Sequence, residues 1–297
     1  MDFLKPDLSN IELIKTHLKH NKYLGCELSA ANNVLWSEYY GTRFTVIENM
    51  LVFAKIENGL PVMMTFPIGG ADEKKAFDAI VNYYKENNLD FKMYLVQEKM
   101  YKKIDEWYPG RYQIEYDRDC ADYLYLQTTL QDLNGKKLHG KRNHINRFVE
   151  KYPDYEYERI NDSNWQDCLN IAIDWEKNNN EEMSEDKKYE CKILEYALIN
   201  RETLGLQGAL IRVDGRAIAF TLGEELTDST FVIHFEKAYS DIQGAYPMIN
   251  REFVRRELSS YKYINREEDL GIEGLRKAKL SYQPIELVQK GMVTLNQ

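Results

Sequence analysis

The sequence predicts an α+β fold in which a mixed sheet and its helices occur twice along the chain. Two turns carry this prediction, because Asn58-Gly59 and Asp214-Gly215 each lie between two apolar runs, the pattern typical of a tight β-hairpin. After each hairpin, strand-like and helical segments alternate, which is typical of a β-α-β crossover. The repeated order predicts two domains, residues 1–152 and 153–297, that pack together.

A capping signal opens the first half. Ser9 and Glu12 have the Ser-x-x-Glu spacing of a capping box. Ile14 and Leu18 follow at helical spacing, so we predict a helix that runs to about residue 20. The other predicted elements of this half are strands at 50–56, 60–66, 91–96, 112–116 and 123–126, and helices at 72–87 and 97–107.

The second half repeats this plan. Ser163-Asn164-Trp165-Gln166 is again a capping signal. The helix that follows has an apolar stripe, which predicts core packing. The stripe consists of Trp165, Cys168, Leu169, Ala172 and Trp175. The other predicted elements are strands at 206–213, 216–222, 230–236, 261–264 and 285–288, and helices at 186–201, at 245–258 and from about 272.

Composition excludes several classes of protein. The chain has 39 Lys and Arg against 48 Asp and Glu, a net charge of −9, so we expect any contact with RNA to be local. None of its 4 cysteines forms a Cys-x-x-Cys pair, and His17 and His20 lack a partner at ligand spacing, so we predict no metal site. Sparse cysteine, no signal-peptide pattern and no apolar run of about 18 residues predict a cytoplasmic protein without a membrane span.

Two polar side chains lie on one face of the strand predicted at 230–236. Alternation places His234 and Glu236 on the same side, together with Val232. Near a strand end they could lie over a cleft, where either one could act as a general base. In the alternative interpretation, His234 lies in the core with its hydrogen bonds made to protein groups, and Glu236 lies at the edge of the core.

The segment after this strand has the features of a phosphate-binding turn. In Gln243-Gly244-Ala245-Tyr246 the small residues leave backbone N–H groups uncrowded, and the helix that follows presents partial positive charge at its N-terminus. The alternative is a plain turn made by Gly244, with Pro247 in the first turn of the helix.

A basic segment lies between the two halves. Residues 135–151 contain six Lys or Arg against one Glu, a reversal of the overall charge. We predict that Leu138, Ile145, Phe148 and Val149 form its buried stripe. Lys137, Lys141 and Arg142 are then candidates for binding phosphates of RNA, a nucleotide or a lipid head group. A solvated basic face explains the pattern equally well.

The segment from Asn265 to Pro284 combines both charge signs with two glycines. Gly271 and Gly274 permit a close approach of the backbone, and Arg276 and Lys279 share one face of a helix that begins near residue 272. An anionic ligand could bind there. The alternative is an exposed helix with internal ion pairs between Glu273 and the basic residues that follow it.

Residues 269–284 resemble the C-terminal signature of the phosphatidylglycerol lysyltransferase C-terminal domain family. More distantly, they are similar to the Asp-x-Gly-Gly and Phe-Lys-x-Gly-Phe region of the Fem peptidyltransferases. Residues 136–145 resemble the Lys-x-Arg-x-x-Ile helix of those proteins. The resemblance implies a tandem GCN5-related acetyltransferase (GNAT) fold with the donor in the second half. Members transfer aminoacyl groups from aminoacyl-tRNA to a lipid or a peptidoglycan precursor, and relatives on this fold use acyl-coenzyme A.

The resemblance also implies roles for individual residues. Lys279 and Asp269 match the lysine and the aspartate of the Fem signature, and Gln243-Gly244-Ala245 lies where acetyltransferases hold pyrophosphate. We therefore expect an acyl- or aminoacyl-transferase that acts on an amine, with no further cofactor. The expected site combines Glu236 and His234 as bases, Lys279 oriented by Asp269 against developing negative charge, and a donor site of Gln243, Gly244, Ala245, Tyr246, Asn265 and Arg276.

A binding module that holds a phosphate-containing ligand without turnover is the rival hypothesis. Ile272 replaces the second glycine of the Fem signature and Ala278 replaces its phenylalanine, which favours the rival. The retained Asp269 and Lys279 favour the enzyme.

Overall fold

The computed structural model describes residues 1–70, 72–179 and 184–296, and the chain divides into two compact units. Unit 1 comprises Met1–Asp122, Glu268–Ile272 and Leu287–Gln297. Unit 2 comprises Tyr123–Glu267 and Glu273–Glu286. These units are defined by spatial contacts, so each contains chain segments from beyond residue 152. The predicted boundary between residues 152 and 153 concerns the linear order of the chain and stays a prediction.

The elements are numbered in chain order. The first half contains α1 (Ile11–Leu18), α2 (Ala30–Tyr40), β1 (Thr42–Ile47), β2 (Met50–Glu57), β3 (Leu60–Met64), α3 (Glu73–Glu86), β4 (Lys92–Gln97), α4 (Glu98–Trp107), β5 (Tyr112–Leu126), α5 (Gln127–Asp132) and α6 (His139–Lys151). The second half contains β6 (Glu156–Arg159), α7 (Trp165–Asn179), α8 (Glu185–Ile199), α9 (Arg201–Leu204), β7 (Gln207–Val213), β8 (Arg216–Thr227), β9 (Thr230–Ala238), α10 (Ala245–Glu257), β10 (Tyr263–Asn265), α11 (Glu273–Leu280) and β11 (Glu286–Leu295).

Both predicted hairpins are confirmed. Asn58 and Gly59 have φ of 51° and 80°, and they join β2 to β3. Asp214 and Gly215 have φ of 51° and 76°, and they join β7 to β8. Two successive positive φ angles are the geometry of a type I′ turn, whose twist matches that of the flanking strands.

Each unit contains the same arrangement of strands. In unit 1, β1, β2 and β3 form an antiparallel meander, β4 pairs parallel with β3 through the crossover helix α3, and β11 pairs antiparallel with β4. In unit 2, β6 to β9 form the meander, β10 pairs parallel with β9 through α10, and the end of β5 pairs antiparallel with β10. The predicted α+β class with two copies of a mixed-sheet unit is confirmed.

Several predicted boundaries were wrong. β5 is one continuous strand of 15 residues, where we predicted two separate strands. Its middle carries charged side chains such as Asp117 and Asp119, which look like a loop in sequence but lie on the exposed part of the strand. Helix α1 begins at Ile11 after Asn10, with no side-chain cap, so the predicted capping box does not form. Helix α2 and strand β1 were not predicted from the sequence.

The predicted apolar stripes are mostly core. On α7, Cys168 and Ala172 are buried. On α6, Ile145 and Phe148 are buried, but Val149 is 37% exposed, so its assignment to the buried stripe was wrong. Val149 is four residues after Ile145 and therefore lies at the edge of the same face, where its side chain is not covered.

Among the described residues, no helix is both long enough and apolar enough to cross a bilayer. The longest helices of this part of the chain, α7 and α8, have 15 residues each and carry charged side chains.

Candidate functional site

The candidate site lies in unit 2, where the parallel strands β9 and β10 end. Their register pairs Val232 with Asn265, so the two residues after β10 continue alongside His234 on β9. Polar residues beyond the carboxyl ends of neighbouring parallel strands are a common setting for ligand sites in open α/β sheets. Here they are Arg266 and Glu267.

Glu236 is held from two sides. One carboxylate oxygen, Oε1, accepts a hydrogen bond of 2.8 Å from the guanidinium of Arg266. The other oxygen, Oε2, accepts one of 3.0 Å from the side-chain amide of Asn250 on α10. Two further buried atoms of these partners, Arg266 NH1 and Asn250 Oδ1, have no hydrogen-bond partner among the described residues. A carboxylate oxygen has two lone pairs, so Glu236 can still accept a proton or a further hydrogen bond.

Lys279 meets the same arginine from helix α11. Its ammonium donates a hydrogen bond of 2.6 Å to the backbone carbonyl of Arg266. The backbone of Lys279 is itself held, because the hydroxyl of Tyr125 donates to its carbonyl at 2.8 Å. The structure therefore brings two predicted catalytic residues, Glu236 and Lys279, to the side chain and the backbone of Arg266.

His234 lies between two carboxylates. Its Nδ1 is 2.7 Å from Glu267 Oε1, and its Nε2 is 3.0 Å from Glu224 Oε1. Burial lowers the pKa of His234, but the hydrogen bonds to Glu224 and Glu267 outweigh it and raise the pKa to about 10. At neutral pH the ring is therefore a cation with no lone pair to accept a proton. The raised pKa favours Glu236 over His234 as the base, and a catalytic role for either residue stays a prediction.

The Gly244 turn is shaped by packing against α6. Gly244 has φ of +90°, and a Cβ at this position would lie 2.5 Å from the backbone oxygen of His144. The Ala245 amide donates to the carbonyl of Ile242, and Pro247 has no amide hydrogen, so these two positions have no amide to offer a phosphate. The glycine is required whether or not a ligand binds, and the donor site at this turn stays a prediction.

The other members of the predicted donor site are held by protein contacts. Gln243 Nε2 lies 3.4 Å from His144 Nδ1. Burial raises the pKa of the half-buried Tyr246. Asn265 is fully buried, and its side-chain oxygen accepts a hydrogen bond of 2.6 Å from the amide of Glu267. Arg276 is half-buried on α11. Binding of a donor by these residues stays a prediction.

The three basic residues of the predicted polyanion site differ in their surroundings. Lys137 is exposed in a short 3₁₀ turn before α6. The guanidinium of Arg142 donates to the carbonyl of Leu133 and, at 2.9 Å, to that of Gly135, so it anchors this turn. Lys141 is half-buried with its ammonium 4.0 Å from the centre of the Tyr282 ring.

Asp269 belongs to unit 1 and is completely buried. Its Oδ2 lies 3.2 Å from the guanidinium of Arg118, and its Oδ1 accepts a hydrogen bond of 3.0 Å from the amide of Gly271. These contacts hold the turn after residue 268. The role that we predict for Asp269, orienting Lys279, stays a prediction.

A second buried cluster, not predicted from the sequence, surrounds Lys290 on β11. Its ammonium lies 2.7 Å from Asp122 Oδ1, 3.1 Å from Glu27 Oε2 and 3.8 Å from Glu268 Oε2, all within unit 1. Burial raises the pKa of Glu27, and the charge of Lys290 opposes that shift. Cys26, Asp122 and Glu268 offer ligand atoms within 4.8 Å of one another, but the ammonium of Lys290 already supplies the positive charge.

Sequence reasoning missed Arg266 and Asn250. Arg266 follows a buried strand directly, and that position is the only signal that could have drawn attention to it. Asn250 lies on the buried face of α10, about one turn after Tyr246, among apolar neighbours. A buried polar residue in such a position needs a partner, which here is Glu236.

The comparisons with known proteins point to one family. The model of the family described as phosphatidylglycerol lysyltransferase, C-terminal, matches residues 21–293. A solved structure of a conserved protein of unknown function from Bacteroides thetaiotaomicron VPI-5482 is 40% identical, with 100% of both chains covered and a TM-score of 0.92. The structure of L-PGS from Bacillus licheniformis is 13% identical, with 98% of this chain and 92% of that chain covered and a TM-score of 0.65, and it shares the fold.

A more distant sequence relative is an uncharacterized protein of Mycoplasmoides gallisepticum. It is 22% identical over 196 residues, which are 63% of this chain. The match spans 61% of the length of that protein. The duplicated meander and crossover described above is the arrangement of a tandem GNAT fold, and the predicted fold is confirmed.

Proposed function

Because this chain belongs to the family described as phosphatidylglycerol lysyltransferase, C-terminal, we propose that it is a GNAT-fold transferase that moves an acyl or aminoacyl group onto an amine. The observation that carries the proposal is the convergence of Glu236 and Lys279 on Arg266 at the end of the parallel strands of unit 2. The donor is acyl-coenzyme A or aminoacyl-tRNA. The acceptor is a small amine or an amine of a lipid or peptidoglycan precursor.

The cluster provides the two groups that acyl transfer to an amine requires. Glu236 takes a proton from the acceptor ammonium, directly or through one water, so that the nitrogen lone pair can attack the donor carbonyl. Negative charge then develops on the carbonyl oxygen, and the ammonium of Lys279 stabilises it. When the carbonyl re-forms, its bond to the sulfur of coenzyme A or to the ribose oxygen of the tRNA breaks, and the leaving group takes up the proton that the attacking nitrogen loses. Arg266 keeps the carboxylate of Glu236 and the ammonium of Lys279 in place through its side chain and its carbonyl.

The second candidate function is a binding module of the same fold. It is favoured by the hydrogen bonds that already occupy both oxygens of Glu236 and by the positive charge of His234. In that case the site holds a phosphate-containing ligand without turnover.

A transfer assay combined with native mass spectrometry separates the two functions. The purified chain is incubated with acetyl-coenzyme A, and separately with lysyl-tRNA, each labelled in the transferred group, and with a set of amine acceptors. Label that appears on an acceptor, and that Glu236→Gln abolishes, supports the transferase. A donor that remains bound in the mass spectrum with no label transferred from either donor contradicts it and supports the binding module.

A further inference from the structure

Lys141 and Arg266 share an aromatic neighbour in unit 2. Lys141 extends from α6, and its ammonium lies 4.0 Å from the centre of the Tyr282 ring. The guanidinium carbon of Arg266 lies 4.7 Å from the centre of the same ring. Tyr282 is 5% exposed and follows α11. Three separate segments of the chain thus bring two cations to one buried ring.

The two cations are not matched by nearby negative charge. Glu236 is bound to Arg266 at 2.8 Å, which leaves one positive charge in excess. Among the described residues, no ion pair or hydrogen bond is found for the Lys141 side chain, whose ammonium lies over the Tyr282 ring, and Arg266 Nη1 is buried without a hydrogen-bond partner. A half-buried ammonium without a counter-charge loses hydration that no protein group replaces.

The surroundings of Lys141 shift its pKa in the direction that this cost predicts. Burial, together with the charge of Arg266, lowers the pKa of Lys141 to about 8, and the charge of Glu236 only partly opposes the shift. The other ionisable neighbours do not change this picture. Burial raises the pKa of Tyr282 to about 12 and raises that of Tyr125, so both are neutral at pH 8. His144, one turn along α6, is exposed and lies 3.4 Å from Gln243.

We propose that Lys141 and Arg266 bind an anionic group of a ligand, a carboxylate or a phosphate, beside the ring of Tyr282. The bound anion accepts hydrogen bonds from the Lys141 ammonium and from Arg266 NH1, which supplies the missing counter-charge. The identification of this group as part of a donor or acceptor rests on the proposed function. The anion site itself does not, because it requires no turnover.

The test is an anion titration at constant ionic strength, with acetate or inorganic phosphate replacing chloride at pH 7. NMR shifts of the backbone amides of α6 report binding without reference to activity. We expect at least one of the two anions to bind, and Lys141→Met and Arg266→Met to weaken that binding tenfold or more. Lys151→Met removes an exposed lysine at the end of the same helix and is expected to bind as the wild type does. Tighter binding of acetate identifies a carboxylate ligand, and tighter binding of phosphate identifies a phosphate ligand.

The affinity for acetate is also measured as a function of pH, because a folding defect in a variant would not produce the expected pH dependence. Above pH 8 the wild type must take up a proton to bind, so we expect its affinity for acetate to fall about tenfold or more by pH 9.5. Lys141→Arg keeps the cation at every pH and is expected to lose this dependence. Equal affinity in wild type, Lys141→Met and Lys151→Met, or no binding of either anion, overturns the proposal. A transferase that is active but binds neither anion refutes only the anion site.

Discussion

Arg266 NH2 lies 2.8 Å from Glu236 Oε1 in a part of unit 2 where both side chains are nearly buried. Glu236 comes from strand β9 and Arg266 from the segment just after β10. The parallel pairing of these two strands sets the contact. Any change that displaces Arg266 therefore also displaces the carboxylate that we propose as the base.

Replacement of Glu236 by Gln removes the negative charge and nearly preserves the shape of the side chain. If Glu236 takes the proton of the acceptor amine, turnover falls by about a hundredfold or more. Steady-state kinetics with the active donor measure this. Glu195→Gln, an exposed glutamate on α8, is the matched control and is expected to leave the rate unchanged. A Glu236→Gln protein with normal turnover refutes the base.

His234 is expected to make the stability of the chain depend on pH. Its folded pKa of about 10 lies above the ordinary value of 6.5, so its contribution is fully present below pH 6.5 and is lost as pH rises through 10. Between these limits the free energy of unfolding of the wild type should fall more steeply with pH than that of His234→Gln. The difference in slope should be up to about 1.4 kcal/mol per pH unit. Urea unfolding of both proteins at pH 6.5, 8 and 9.5 measures the difference. Parallel curves for the two proteins would show that the histidine is neutral in the folded state.

Removal of Lys290 leaves a buried cluster of carboxylates without its cation. Lys290→Met should lower the free energy of unfolding by about 3–5 kcal/mol, because Asp122 and Glu27 lose their partner away from water. Urea unfolding measures the change. Lys92→Met, an exposed lysine on the neighbouring strand β4, is expected to change stability by less than about 0.5 kcal/mol. Equal stability of the two variants would show that the cluster does not carry the charges assigned to it.

Gly244 is expected to be a packing requirement. In Gly244→Ala the new methyl group meets the backbone of α6 at 2.5 Å, so the loss of stability should exceed the backbone cost of positive φ alone. Gly59→Ala provides that reference, because its φ is +80° and nothing lies within 4 Å of the added Cβ. We expect Gly244→Ala to melt several degrees below Gly59→Ala in the absence of ligand. Equal melting temperatures would show that α6 moves to make room for the methyl group at no cost in stability.

Local signals account for the parts of the fold that the sequence predicts well. Asn58-Gly59 and Asp214-Gly215 specify their turns by their own backbone preferences, and both hairpins form. The sequence predicts two strands where β5 is continuous, because the charged residues near Asp117 resemble a loop and only pairing with neighbouring strands keeps them in a strand. The strand propensities of the individual residues contain no information about that pairing.

In the candidate site, too, residues that belong to a local sequence pattern could be predicted, whereas contacts between distant parts of the chain could not. Glu236 and Lys279 could be singled out from strand alternation and from the resemblance. Their common partner Arg266 could not, because the contact joins residues 30 positions apart and depends on the register of β9 and β10. The charge of His234 likewise depends on Glu224 and Glu267, and the inward position of Lys141 depends on Tyr282.

The most direct test of the central claim compares two lysines on the same helix. Lys279 donates to Arg266, whereas Lys277 is exposed two residues earlier on α11. Turnover, donor binding and melting temperature are measured for Lys279→Met and Lys277→Met. If the Glu236–Arg266–Lys279 cluster is the functional centre, Lys279→Met keeps its fold and loses about a hundredfold or more of turnover, whereas Lys277→Met matches the wild type. Equal turnover in the two variants would contradict the account.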